Sequence, residues 1–252
     1  MRKIYGRLKA LSTTAIFALI AANFAGCSRH TSPAPILLFN GNGVSVNDVA
    51  AIKTILDKES FDYETLNSEE LNSLSRQQLA KYRLLIVPGG NFITMGKSLD
   101  TATGANIRYA VQHGLNYHGI CAGAFLAGKS AYYNGFNLTS GTTFGFYAAE
   151  NKGIRKAVVP IRSAGGATLE QYWEDGPQLA GWGAVVAKYP NGTPAVAEGK
   201  YGKGFVLLTG IHAEAPEYWR GSMAFHTSTS DDNAYAALLI RMALDGRELR
   251  HY

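Results

Sequence analysis

Two short runs, Ile36-Leu37-Leu38-Phe39 and Leu84-Leu85-Ile86-Val87, are apolar at every position, the pattern of strands buried on both faces. The first is bounded by Pro35 and the glycine-rich Asn40–Gly43, the second by Pro88-Gly89-Gly90, so each runs into a loop. Between them, apolar residues at 46, 49, 52, 55 and 56 follow a helical period over Val46 to Lys58. Phe61 to Leu66 predicts a second strand and Ser68 to Lys81 a polar helix. Ile107, Tyr109, Ala110 and Val111 predict another helix, leading to a strand over Asn116 to Ile120 and a helix from about Ala122. This alternation predicts a parallel sheet with helices on both faces and right-handed crossovers. In such sheets a site forms at the carboxyl ends of the strands, where Asn40–Gly43, Pro88–Asn91 and the turn at Cys121 converge.

After Gly128 the pattern becomes β-rich. Strands are expected at Lys156–Arg162, Gly183–Lys188, Pro194–Glu198 and Gly204–Thr209, with hairpin signals at Asn191-Gly192 and Gly202-Lys203-Gly204. Leu207 to Ile211 then leads into His212-Ala213-Glu214. Asp232 to Leu244 is expected to close the chain as a helix with Ala236, Leu239, Ile240 and Ala243 on one stripe.

The amino terminus changes how the charge is read. Arg2, Lys3, Arg7 and Lys9 precede an apolar Ala15–Ala22 stretch too short to span a bilayer, the pattern of a signal peptide. Phe24-Ala25-Gly26-Cys27 resembles a bacterial lipobox. The expected organisation is a signal peptide over 1–26, lipidation at Cys27, a tether over 27–34 and one domain over 35–252. That protein would be anchored in the bacterial cell envelope, facing the periplasm or the exterior. The four basic residues of the signal account for four units of the formal net charge of +5, and no basic face suggests nucleic acid. The expected partners are the membrane, through Cys27, and a small-molecule or peptide substrate. With Cys27 lipidated, Cys121 is the sole free thiol and no internal disulfide forms.

The candidate chemistry centres on Gly119-Ile120-Cys121-Ala122-Gly123. This G-x-C-x-G pattern is the thiol counterpart of a nucleophile elbow, whose strained turn needs glycine on both sides of the nucleophile. A following helix directs N–H groups at the sulfur and favours thiolate. A backbone N–H at Gly90, permitted by Gly89-Gly90, pairs with that of Ala122 as an expected oxyanion hole. His212 follows a strong strand, and Glu214 two residues on shares its side, so Glu214 is the expected orienter of a His212 base. Gly89, Asn91, Tyr172, Trp173, Glu174 and Asp175 are candidate substrate-binding residues, the last four as an aromatic and acidic rim. Trp182, Tyr218 and Trp219 are expected in core or edge packing. No Cys/His/Asp cluster has ligand spacing along the chain, so neither metal nor cofactor is expected.

The order of these residues resembles the class I glutamine amidotransferase-like superfamily, and more closely the biotin–protein ligase N-terminal domain family. The resemblance is carried by Val87-Pro88-Gly89-Gly90, Gly119 to Ala127, Tyr172-Trp173-Glu174-Asp175-Gly176-Pro177, Tyr201 to Gly204 and Gly210-Ile211-His212-Ala213-Glu214. It implies a flavodoxin-like three-layer α/β sandwich with a mainly parallel sheet and a β-rich C-terminal half. It also implies a Cys121–His212–Glu214 triad with Gly90 and Ala122 as oxyanion donors. Two positions depart from the pattern. Phe125 stands where glutamine-hydrolysing members carry a glutamine, which puts a glutamine substrate in question, and Ala213 replaces the proline of His-Pro-Glu. Two functions follow: a cysteine-dependent hydrolase or acyl-transfer enzyme acting on an amide or ester, or a non-catalytic small-molecule-binding or regulatory module. A redox role for Cys121 is a third.

Overall fold

The apolar runs become parallel strands of one sheet. A computed structural model describes residues 34–147 and 156–252; the signal peptide, Cys27 and all of the tether but its last residue lie outside the described residues. The N-terminal half runs β1 (Ile36–Phe39), α1 (Val46–Lys58), β2 (Tyr63–Leu66), α2 (Ser68–Ser73), α3 (Arg76–Leu79), β3 (Leu84–Val87), α4 (Phe92–Lys97), α5 (Thr101–Gln112), β4 (Asn116–Ile120) and α6 (Ala122–Ala127). The C-terminal half adds β5 (Gly145–Phe146), β6 (Lys156–Ser163), β7 (Thr168–Glu174), β8 (Pro177–Gln178), β9 (Ala184–Lys188), β10 (Pro194–Tyr201), β11 (Gly204–Thr209), α7 (Glu217–Arg220) and α8 (Thr229–Asp245).

The nine-stranded sheet has the order β2-β1-β3-β4-β11-β10-β9-β6-β7. Its first five strands are parallel and the rest antiparallel, so the first five repeat the flavodoxin-like order. Strand alternation divides the core in two. Ile36, Leu38, Leu84 and Ile86 pack with apolar residues of α1 and α8, while Leu37, Phe39, Leu85 and Val87 pack with those of α5 and α6. The result is the expected three-layer sandwich, with helices covering both faces of strands buried throughout. Among the described residues, no helix is long and apolar enough to cross a membrane.

The structure departs from the sequence expectations at several elements, among them the short β5, β8 and α7. The single helix expected over Ser68 to Lys81 is two short ones, because Leu74 turns extended and Asn67 and Ser75 each close a capping box. Helix α4 was not expected. Its Asn91 side chain accepts the Thr94 N–H at 3.0 Å and starts a helix from a sequence without apolar period. Strand β7 was also missed, and it carries Tyr172 and Glu174 to the site. It is the edge strand of the sheet, yet its end curls back until the His212 N–H donates to the Tyr172 carbonyl at 2.9 Å.

His118 lies within β4, 2% exposed, with Nδ1 3.2 Å from the Leu207 carbonyl. Burial drives its pKa down from 6.5 to about 4, against the pull of that hydrogen bond. The unfolded chain therefore takes up this proton first as pH falls, and stability is lost from about pH 6.5 down to about 4. The loss amounts to about 3 kcal/mol if the whole shift is expressed. Denaturant unfolding against pH should show this decline in the wild type and a shallower one in His118→Asn. Parallel profiles would contradict the assignment.

Candidate active site

The end of β4 makes a turn that only a particular set of residues permits. Cys121 has φ 49 and ψ −102, a region that side-chain-bearing residues seldom occupy. A Cβ on Gly119 would stand 2.6 Å from the Gly123 carbonyl oxygen, and one on Gly123 would overlap the Val87 carbonyl. The Gly123 N–H donates to the Pro88 carbonyl at 3.1 Å, and the Cys121 N–H to Thr209 at 2.8 Å. The turn is thereby pinned between β3 and β11. The Cys121 thiol is 6% exposed and faces a cavity of about 750 Å³ at the carboxyl ends of the parallel strands.

His212 and Glu214 meet as the spacing predicts, with His212 Nδ1 2.8 Å from Glu214 Oε1. A second carboxylate was not anticipated. Asp48, in the first turn of α1, places Oδ1 3.2 Å from the same nitrogen. All three residues are buried, at 5% exposure or less. One Nδ1 proton serves one strong hydrogen bond, and Glu214 is better placed for it. Asp48 Oδ1 has no hydrogen-bond partner and acts on the ring through charge. With Nδ1 turned to the carboxylates, Nε2 is the nitrogen available to the cavity, in whose wall His212 and Cys121 both stand. Nothing local marks Asp48 in the sequence; only the β1–α1 loop geometry carries it to His212.

Burial opposes charge on His212, but the neighbouring Cys121, Glu214 and Asp48 outweigh it and raise its pKa well above the ordinary value. Burial raises Glu214, with His212 opposing. For Asp48 burial also acts upward, but the His212 charge and hydrogen bonds from Ser45 and Gly89 bring the net direction down. These shifts favour an imidazolium beside the thiol.

Gly90 takes φ +144, and a Cβ there would overlap the Gly43 carbonyl. In the bridge between Val44 and Gly90, the flanking Ser45 and Asn91 N–H groups are the donors. The N–H groups of Gly90 and Ala122 have no acceptor among the described residues, the condition for two donors held ready for an oxyanion.

The other candidates divide. Asn91, Tyr172, Glu174 and Asp175 line the cavity. Glu174 also brings its carbonyl oxygen 3.5 Å from Cys121 Sγ, and its carboxylate accepts the Tyr172 hydroxyl at 2.6 Å. Trp173 does not belong to the rim. Strand alternation turns it the opposite way, and it is fully buried in the core against Tyr147, with Nε1 donating to the Gly176 carbonyl at 3.3 Å. Gly89 is not in the wall either. Its role is spatial, since a Cβ would overlap the Asp48 carboxylate and stand 2.7 Å from His212 Cε1.

Tyr218 and Trp219, expected in packing, stand in the cavity wall instead. Trp219 lies 5.9 Å from the His212 ring and 5.4 Å from Tyr172. Their short helix α7 is fixed by buried Arg220, which donates to the Thr227 carbonyl at 2.6 Å and pairs with Asp232 at 3.6 Å. Phe125, one helical turn after Cys121, stacks on Phe92 at 4.4 Å between ring centres and touches Phe146 at 5.0 Å.

Asp48, His212 and Glu214 also offer ligand-type atoms within 4.8 Å of one another. Reading spacing along the chain could not find this group, because Asp48 comes from a distant helix. The His212–Glu214 hydrogen bond accounts for two of the three atoms.

Residues 34–155 match the family model described as biotin-protein ligase, N terminal. The match includes Asp48, Gly90, Cys121 and Ala122 and stops short of Tyr172, His212 and Glu214. Among solved structures, a glutamine amidotransferase superposes with a TM-score of 0.56 at 19% identity, over 83% of this chain and 98% of its own. A beta-galactosidase from Bacillus circulans sp. alkalophilus gives 0.50 at 16%, over 86% of this chain and 32% of its own. A cytoplasmic protein from Salmonella typhimurium gives 0.50 at 10%, over 82% and 98%. At these identities the likeness is one of fold. The comparison with curated proteins found no match. The chain thus has the amidotransferase-like fold, and its residues 34–155 carry the match to the biotin-protein ligase N-terminal domain.

Proposed function

We propose that the protein is an envelope-anchored, cysteine-dependent hydrolase or acyl-transfer enzyme acting on an amide or ester. The observation that carries this reading is the strained Cys121 elbow opening on one cavity with a His212 held by two buried carboxylates. In the proposed reaction the Cys121 thiolate attacks the substrate carbonyl carbon, and the N–H groups of Gly90 and Ala122 receive the charge on oxygen. His212 gives its proton to the departing nitrogen or oxygen as the bond to carbon breaks, leaving a thioester on Cys121. Neutral His212 then takes a proton from water or another acceptor, which attacks the thioester and releases the thiolate. Glu214 orients the ring and Asp48 adds negative charge beside it.

Glutamine is not the substrate proposed. Phe125 is 4% exposed and stacked beneath Phe92, and an apolar ring supplies no hydrogen bond to a carboxamide. The same aromatic group is the observation that favours a second reading, a small-molecule-binding module. That reading requires a ligand whose thermal stabilisation persists in Cys121→Ala.

Turnover of an amide and ester panel should vanish in Cys121→Ala and fall by about 10²–10⁴-fold in His212→Ala. In Asp48→Asn, loss of one negative charge lets His212 release its proton more readily. The alkaline limb of the acylation rate should therefore move to lower pH. Undiminished turnover in Cys121→Ala, or an unmoved limb in Asp48→Asn, would overturn the respective assignment.

The anchoring part of the proposal rests on the lipobox-like residues ending at Cys27. The full chain expressed in a bacterium should incorporate labelled palmitate and sediment with membranes, while Cys27→Ser should do neither. Equal labelling of the two would refute lipidation at that residue.

A further inference from the structure

The cavity walls carry two separate aromatic groups. Phe92, Phe125 and Phe146 form one, with centroid separations of 4.4, 5.0 and 6.0 Å. Tyr172 and Trp219, both packed on His212, form the other, with Tyr218 edge-on to Trp219. Among the described residues no aromatic contact joins them.

The proposed chemistry gives each group a side of the reaction. The bond that breaks must lie where His212 can protonate the departing atom, which places the leaving group along the His212 wall with Tyr218 and Trp219. The acyl chain leaves the carbonyl carbon in the other direction, away from His212. The phenylalanine wall begins two residues after the Gly90 oxyanion donor, at Phe92, and one helical turn after Cys121, at Phe125, and makes no aromatic contact with the His212 group, so it is the surface assigned to the acyl chain. The two walls also differ in chemistry. Phe92, Ile93, Phe125 and Phe146 present no charge, and Phe146 is held 53% exposed by its pairing with Pro177. On the His212 side stands Glu174, whose carboxylate accepts the Tyr172 hydroxyl at 2.6 Å, with Lys156 opposite it on the neighbouring strand.

We infer that the substrate is an amide whose acyl chain is apolar and whose amine portion is polar, with the acyl chain on Phe92 and Phe146 and the amine beside Glu174. The inference rests on the hydrolase reading and assigns its substrate class. Attack of the thiolate on carbon, cleavage of the C–N bond and proton transfer from His212 release the amine and leave an apolar acyl thioester on Cys121. Water then converts the thioester to the carboxylic acid and restores the thiol.

Two isomeric amides test the polarity directly with the full chain: hexanoyl ethanolamide and its reverse, hydroxyacetyl hexylamide. Released amine is measured with fluorescamine, and Cys121 alkylation by iodoacetamide is followed in parallel. The hexanoyl compound should be the better substrate by kcat/KM by about tenfold or more, the scale on which apolar pockets discriminate. Phe146→Ala should erode that preference, and Trp219→Ala should lower turnover of both compounds without reversing it. Equal turnover, or preference for the reverse amide, would overturn the subsite assignment. So would turnover of neither compound alongside fast, His212-dependent alkylation, an outcome that leaves the hydrolase reading standing. Turnover of neither with a slow thiol indifferent to His212→Ala would overturn both.

Discussion

The contact between the β4–α6 turn and the end of β3 decides where the Cys121 sulfur sits. Gly123 runs against the Val87 carbonyl so closely that no side chain fits between them, and Gly119 is held the same way against Gly123. Within that vice Cys121 takes a backbone conformation that costs on the order of 1–3 kcal/mol. Strain of that size persists where the surroundings over-determine it. Here the hydrogen bonds to Pro88 and Thr209 and the complete burial of Ala122, Ala124 and Leu126 do so. The same geometry leaves the Ala122 N–H free and aims the thiol at the cavity.

Charge arrangement depends on this placement. Two carboxylates and an imidazole taken out of water cost several kcal/mol each unless they compensate one another. Asp48 and Glu214 face a single ring nitrogen, so the trio is most stable when His212 carries a proton. Gly89 is what allows Asp48 to approach. The glycines within Pro88–Asn91 and on either side of Cys121 thus act at one remove, by letting polar groups converge where side chains would have separated them.

Much of this was legible in the sequence. The uninterrupted runs that became β1 and β3, the hairpins around Gly192 and Gly202, the elbow and the His212-x-Glu214 spacing are local patterns whose physics is complete within a few residues. What was illegible depends on distant partners. Asp48 reads as an ordinary first-turn acid of α1, with nothing beside it to show that it ends against His212. Tyr218 and Trp219 read as packing because only the buried Arg220–Asp232 pair sets α7 over the cavity. β7 hid because Thr-Leu-Glu-Gln mixes polar residues into an edge strand, and its curl toward His212 is tertiary. Trp173 was grouped with its neighbours when alternation alone separates it from Tyr172 and Glu174.

On the proposed reading, His212 is charged beside Cys121 and activates its sulfur. The most direct measurement is the rate of Cys121 alkylation by iodoacetamide in the full chain at one fixed pH, with Cys121→Ala as the blank. Fast alkylation of the wild type that slows in His212→Gln is the expected result. Alkylation at the rate of an ordinary thiol, unchanged by His212→Gln, would contradict the reading and leave the elbow as architecture without the chemistry.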